Sequence, residues 1–218
     1  MKTRRGVVGI ESAIVLIAFV VVAAAIAFVV LNSGFQTTEK AKTAITAGLS
    51  EASSGLEVAG AATAKGNLTS ASIAAYTIPV KLAAGGSSID ISKASTVIRY
   101  TSKNVAYDNI YVGPMSNTTF SSVDDAIQQA KDENKITRKP GEGAGPTNTV
   151  AIAYFLTNSN NNDVLDAAEQ LIVLVIFKDS ERPQALDTTR LEVIPTSGSP
   201  LTIERVIPPV ADTVLKLD

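Results

Sequence analysis

The chain has 218 residues, 45% of them hydrophobic. That is material for one packed domain with an accessory segment, or for two small domains, and excludes a disordered chain. Cys, His and Trp are all missing, which excludes disulfide scaffolds, thiol nucleophiles, zinc sites built on Cys or His, and imidazole-based triads. With 19 basic residues against 21 acidic ones, the fold as a whole is no nucleic-acid binder.

Lys2, Arg4 and Arg5 place three of the basic residues in the first five positions. Behind them residues 13–31 read AIVLIAFVVVAAAIAFVVL, and no charge stands between Glu11 and Glu39. As a helix this run covers roughly 28 Å, about one hydrocarbon core. The positive-inside rule puts the basic N-terminus in the cytoplasm and the rest of the chain outside. Three fates fit such a segment. A secretory signal peptide has a shorter apolar stretch followed by a small-residue cleavage site; Ala23-Ala24-Ala25 offers one, yet the apolar residues continue well past it. A plain signal anchor keeps everything and gives no reason for Glu11 at its edge. Cleavage at Gly6 leaves the apolar run on the mature chain, and the flanks favour that reading.

The apolar run does not end in a linker. Phe35, Ala41, Ile45, Leu49, Ala52 and Leu56 follow at steps mostly of three and four, with Lys40, Lys42, Glu51 and Glu57 among the polar positions. That is an amphipathic helical stripe. No Pro occurs before Pro79, so one helix is predicted over residues 8–58, roughly 75 Å long, with Gly34 and Gly48 as its weak points. Its first half is apolar on every side and must lie in lipid or among copies of itself. Ala18, Ala23, Ala24, Ala25 and Ala27 are small enough for neighbouring helices to approach closely, and Phe35, Ile45, Leu49 and Leu56 carry the contact further. Glu11 is costly at the edge of lipid unless paired, and favourable in the first turn of a helix dipole. Cleavage at Gly6 creates an α-amine nearby as its partner, in the same subunit or a neighbour.

Arg4-Arg5-Gly6 followed by Val7-Val8-Gly9-Ile10-Glu11-Ser12 and a long apolar helix resembles the class III signal of type IV pilin-like proteins. The finer match, GIESAIVLIAFVVVAAAIAFVVLNSGF with TTEKAKTAI after it, is similar to archaellins, the subunits of archaeal flagella. Gly198-Ser199-Pro200-Leu201-Thr202-Ile203 looks like archaellin C-terminal ends. The resemblance implies a prepilin peptidase that cuts after Gly6, a mature chain beginning at Val7, and Glu11 at the family's acidic fifth position. It also implies a helical homopolymer, extracellular once assembled and membrane-inserted before. Its further partners would be a membrane assembly platform and a motor ATPase that turns the filament for swimming.

After Gly60, segments rich in Val, Ile, Thr and Tyr alternate with Gly, Asn and Ser clusters, the pattern of strands and turns. Strands are predicted at 72–82, 87–91, 95–100, 106–112, 150–157, 170–177, 190–194 and 201–207. LIVLVIF at 171–177 is apolar on both faces and reads as a central strand. Residues 121–131 read as a short helix with Val123, Ile127 and Ala130 inward, and 138–146 (RKPGEGAGP) as a surface loop. The fold class is therefore α+β: a long hydrophobic N-terminal helix followed by an antiparallel β-sandwich, immunoglobulin-like in strand count and spacing. The domain organisation reads as a leader at 1–6, the helix at 7–60 and an extracellular β domain at 61–218.

Two sequons, at Asn67 and Asn117, are candidate glycosylation sites in an exported protein. In TNSNNNDVLDAAEQ, Asn158, Asn160 and Asn162 fall at the first, third and fifth positions of a loop whose twelfth is Glu169, the spacing of an EF-hand. Asp163 stands where that loop needs Gly, and Asp166 adds a carboxylate. Two readings stay open: a calcium site of related chemistry, every ligand being oxygen, and an Asn-rich connection between core strands. The resemblance adds that some archaellins are thought to carry a metal in a comparable loop. Asp124-Asp125 and Asp132-Glu133 are the only acid pairs near a helix, and such pairs are solvated far more often than catalytic. The chain thus reads as a non-enzymatic filament subunit. Its rivals are an adhesion pilin of the same build and a membrane-anchored extracellular binding domain.

Overall fold

The computed structural model describes residues 4–115, 120, 122–143 and 145–217. The chain divides into two units, Met1–Leu49 and Ser50–Asp218. Helix α1 spans Arg4–Ser53, 50 residues in one piece, about 75 Å at the usual rise. Neither Gly34 nor Gly48 interrupts it. Each costs about 1 kcal/mol relative to Ala, too little to stop a helix with no competing partner strand.

The helix ends five residues earlier than its apolar periodicity predicts. Leu56, Glu57 and Val58 form strand β1 (Leu56–Val58) instead, pairing antiparallel with Leu82, Lys81 and Val80 of β3 (Ser72–Leu82). Leu56 is buried in the β unit and so is removed from the helix stripe; the β unit begins before the predicted boundary at residue 61. Ser54 and Gly55 fix the turn. The Ser54 hydroxyl accepts from the Ser87 amide at 3.1 Å, its carbonyl from the Ser199 amide at 2.8 Å, and the Gly55 carbonyl from the Ala83 amide at 2.9 Å.

The β unit is a sandwich. One sheet has seven strands in the order β13-β2-β3-β10-β8-β7, with β1 sharing a side of β3 with β2. Its members besides β1 and β3 are β2 (Ala62–Asn67), β7 (Tyr111–Pro114), β8 (Val150–Thr157), β10 (Gln170–Ile176) and β13 (Val214–Leu217). The other sheet runs β12-β11-β5-β6, with β5 (Thr96–Ser102), β6 (Ala106–Tyr107), β11 (Thr188–Pro195) and β12 (Leu201–Val206). A two-stranded pair, β4 (Ile89–Asp90) with β9 (Val164–Leu165), completes it. The core between the sheets takes Ile73, Ile78, Val80, Val173 and Phe177 from one side and Ile98, Tyr100, Leu191 and Val193 from the other.

β10 lies inside the larger sheet, as its two apolar faces predict. Leu171, Val173 and Val175 face the sandwich core; Leu174 and Ile176 face a second core under helix α2 (Val123–Asp132), with Ala126, Ile127 and Ala130. Ser122 caps that helix, accepting from the Asp125 amide at 3.2 Å. Residue 121 of the predicted helix and residue 144 of the predicted loop lie outside the described residues.

Besides the early end of α1 and the unpredicted strands β1, β2, β9 and β13, two features depart from the predicted plan. The expected strand at 106–112 is two strands in different sheets, β6 and β7. The break falls at Asn109, whose Oδ1 accepts from the Tyr111 amide at 2.9 Å and the Ile98 amide at 3.4 Å, replacing ladder partners as the chain changes sheets. β7 then pairs parallel with β8, so the sandwich is not wholly antiparallel. Parallel neighbours need a crossover, and α2 supplies it.

Candidate assembly surface and surface loops

Every residue from 9 to 49 of α1 is exposed. Among them Phe19 is 72%, Phe28 71% and Leu31 61% accessible. Covering one such side chain is worth about 1.5–3 kcal/mol, so an uncovered helix of this length is untenable in water. α1 is long and apolar enough to cross a membrane. Ala18, Ala23, Ala24, Ala25 and Ala27 lie exposed within the apolar half, and Glu11 is exposed near its start. Gly6 and Val7 lie on the helical backbone of α1.

Beyond the apolar run the stripe persists: Phe35, Ile45 and Leu49 are 72%, 69% and 68% accessible. They project from a segment carrying Glu39, Lys40 and Lys42, which a hydrocarbon core does not accept. The threonines of this segment turn their hydroxyls inward. Thr37 donates to the Ser33 carbonyl at 2.8 Å and Thr38 to the Gly34 carbonyl at 2.9 Å; Thr43 and Thr46 do the same to Glu39 and Lys42. Their methyl groups are left to the surface, and the apolar face keeps few unsatisfied polar atoms.

Asn67 ends β2 at a hairpin turn, where its Oδ1 accepts from the Thr69 amide at 3.0 Å and the Ser70 amide at 3.3 Å. Leu68, Thr69 and Ser70 are exposed, so the sequon stands on an accessible tip. Asn117 lies outside the described residues.

The loop from Asn158 to Glu169 joins β8 to β10 through β9. Asn158 Oδ1 accepts from the Asn161 amide at 2.7 Å, Asn160 Oδ1 from the Asn162 amide at 3.3 Å and Asn162 Oδ1 from the Val164 amide at 2.9 Å. These are turns closed by the residues' own side chains. Asn160 Nδ2 donates to Asp166 Oδ2 at 2.6 Å, and Ser88 donates to the other Asp166 oxygen. Glu169, 2% accessible, accepts from the Ser159 amide at 2.6 Å and the Asp166 amide at 3.0 Å. Asp163 offers its backbone carbonyl to the Ile91 amide. Among the described residues no group of three acidic side chains is placed to hold an ion.

The acidic pairs of α2 are engaged on its surface. Asp124 pairs with Lys65, Asp132 accepts from Gln128, and Glu133 accepts from Gln129 and pairs with Lys135. A carboxylate without any sequence signal proves more central: Glu181 accepts from Tyr107 and Thr149. No periodicity or spacing marks it, because its partners are distant in sequence, one in β6 and the other just before β8.

The archaeal-type flagellin family model matches residues 6–205. A protein of Aeropyrum pernix called probable flagellin 1 is 37% identical over 211 residues, covering 95% of this chain and 94% of that protein. The crystal structure of archaeal flagellin FlaB1 from Methanocaldococcus jannaschii matches with a TM-score of 0.59 at 14% identity, over 75% of this chain and 96% of that one. The archaeal flagellum of Methanospirillum hungatei strain JF1 matches with a TM-score of 0.57 at 22% identity, over 96% and 98% of the two chains. At these identities the two structures speak for a shared fold.

Proposed function

The chain belongs to the archaeal-type flagellin family, and we propose how its parts make a filament. It is a structural subunit of an archaeal flagellar filament that serves motility, a self-assembling polymer on the cell surface. In our reading a prepilin peptidase cuts after Gly6, the mature chain starts at Val7, and α1 waits in the membrane. Assembly moves α1 from lipid into a bundle of identical helices, so apolar burial is exchanged rather than gained. Net stability then comes from close approach at Ala18, Ala23, Ala24, Ala25 and Ala27, from Glu11 meeting a neighbouring α-amine, and from the stripe of Phe35, Ile45 and Leu49.

A contact that repeats without closing builds an open helical fibre. An assembly platform and a motor ATPase in the membrane are the partners this reading requires. The subunit itself hydrolyses nothing, needs no cofactor to polymerise, and carries a glycan at Asn67. The observation behind the assembly proposal is the apolar stripe that runs past the thickness of a bilayer on a segment bearing charges.

Determining the N-terminus of the native protein tests it. A start at Val7 with the apolar run retained is the expected result. A start at Met1 makes α1 a simple anchor, and a start beyond Ala25 makes the chain a secreted domain; either overturns the assembly route. Material sheared from cells should pellet as polymer, and deletion of the gene should abolish swimming; an adhesion pilus would leave swimming intact. Intact mass of Asn67→Gln subunits, compared with wild type, reads the glycan directly.

A further inference from the structure

We infer that the loop from Asn158 to Glu169 closes without a cation, Glu169 holding it by hydrogen bonds where a calcium loop would use a metal ion. The carboxylate of Glu169 is almost fully buried at 2% accessibility. One oxygen accepts from the Ser159 amide at 2.6 Å and the other from the Asp166 amide at 3.0 Å. These amides stand at the second and ninth positions of the loop, so one side chain ties its beginning to its end. The two amides take an acceptor site on each oxygen and so fix the carboxylate by hydrogen bonds, the work that a bidentate ion does in a calcium loop.

Asn158, Asn160, Asn162 and Asp166 are engaged by side-chain hydrogen bonds as well, and Asp163 gives its backbone carbonyl to the Ile91 amide. The Oδ1 atoms of Asn158, Asn160 and Asn162 each accept an amide two or three residues ahead. Asp166 takes a neutral donor on each oxygen, Asn160 Nδ2 on one and Ser88 on the other. The backbone path differs too. An EF-hand needs its left-handed residue at the sixth position, which here is Asp163; the left-handed residues are Asn161 (φ 54°) and Ala168 (φ 71°), the fourth and eleventh.

The far side of the loop is held by strand pairing, Ile89 with Leu165 and Asp90 with Val164, both Ile89 and Leu165 being fully buried. Together these contacts make the connection a chelator-resistant element. The inference concerns the β unit alone and stands or falls apart from the route of filament assembly.

Native filaments, dialysed against EDTA and then divided, provide the test. Thermal unfolding in EDTA and in excess calcium should give the same midpoint, and terbium titration should give no tyrosine-sensitised luminescence. Glu169→Gln should lower the midpoint by several degrees equally in EDTA and in calcium, since the amide keeps one acceptor and turns an NH2 group on the other donor. Asn160→Asp, a milder change, should lower the midpoint in EDTA by setting two carboxylates together, and should gain a calcium response absent from the wild type. The inference is overturned if EDTA lowers the wild-type midpoint, calcium restores it, and Glu169→Gln abolishes that restoration. It is likewise overturned if Asn160→Asp is as stable as the wild type in EDTA. A calcium response that survives Glu169→Gln overturns it too if Asp163→Asn together with Asp166→Asn abolishes that response.

Discussion

Tyr107 donates its phenolic hydrogen to Glu181 at 2.9 Å, joining β6 of the smaller sheet to the segment where the chain crosses from β10 to β11. The other Glu181 oxygen accepts from Thr149 at 2.7 Å, directly before β8 of the larger sheet. One carboxylate, its side chain 11% accessible with Lys178 Nζ at 3.6 Å, thus clasps the rim of the sandwich. Glu181→Gln leaves one of the two donors facing an NH2 group and should cost about 1–3 kcal/mol. Tyr107→Phe should cost about 1 kcal/mol. In a double-mutant cycle read by thermal unfolding, the pair should couple by at least ~0.5 kcal/mol; strict additivity would mean that the bond does not hold the sheets.

The placement of Leu56 separates two kinds of damage. Leu56→Ala empties a buried position beneath β1 and should destabilise the β unit by about 2–5 kcal/mol. Phe35→Ala alters an exposed helix position and should leave the unfolding midpoint of the β unit unchanged while lowering the temperature or denaturant at which filaments dissociate. Calorimetry and pelleting on the same samples check both. If Leu56→Ala acts on pelleting alone, the residue belongs to the helix stripe after all.

Gly66 sits where β2 bulges, and the C-terminal segment passes over it. A Cβ there would meet the Asp212 carbonyl and, at 2.8 Å, Val210 Cγ1, while the Gly66 amide donates to the Thr213 carbonyl at 3.0 Å. Gly66→Val should push β13 off β2, costing about 1–3 kcal/mol. The expected signature is faster proteolytic trimming at the C-terminus, with α2 protected as before in hydrogen exchange.

All five tyrosines hold their protons more tightly than a free phenol. Burial is the chief cause at Tyr76, Tyr100, Tyr111 and Tyr154, and the hydrogen bond to Glu181 at Tyr107. Tyr154 is pushed up to about 12. Because the folded state keeps protons that the unfolded chain sheds near pH 10, this stabilisation is fully present below that pH. It is lost as the pH rises from there through the folded-state values. The tyrosinate ultraviolet band should therefore appear together with loss of near-ultraviolet ellipticity. Its appearance near pH 10 with the fold intact would contradict the burial of these rings.

What the chain is for was written in its first fifty residues. An apolar run of bilayer length, a basic-Gly junction, Glu11 and an unbroken helical stripe need no partner to be read, because a helix is local and its solvent is dictated by composition. The strands at 72–82 and 150–157 were equally legible, each β-branched and bounded by turn residues, and β10 declared its central place by being apolar on both faces. Hydrophobic periodicity could not end α1 correctly. Leu56 suits a helix stripe and a strand equally well, and only pairing with Leu82 across the β unit decides between them.

Non-local pairing settled the rest. β2 (ATAKGN) and β13 (VLKL) carry too little β-branched character to stand out; they are strands because β3 offers one of them an edge. β7 runs parallel to β8 because α2 crosses between them, and no pattern along a single segment encodes that. Glu181 is an unremarkable acid in sequence, and the spacing that singles out Glu169 points to a cation rather than to amides. Their roles come from amides and hydroxyls brought to them by distant segments, which composition lists but only the folded chain places within 3 Å. The sequence by itself determined the helix and its need for an apolar surrounding, and its resemblance to archaellins pointed to the filament; the tertiary structure decided where the helix stops, which strands pair, and which carboxylates are spent holding the β unit together.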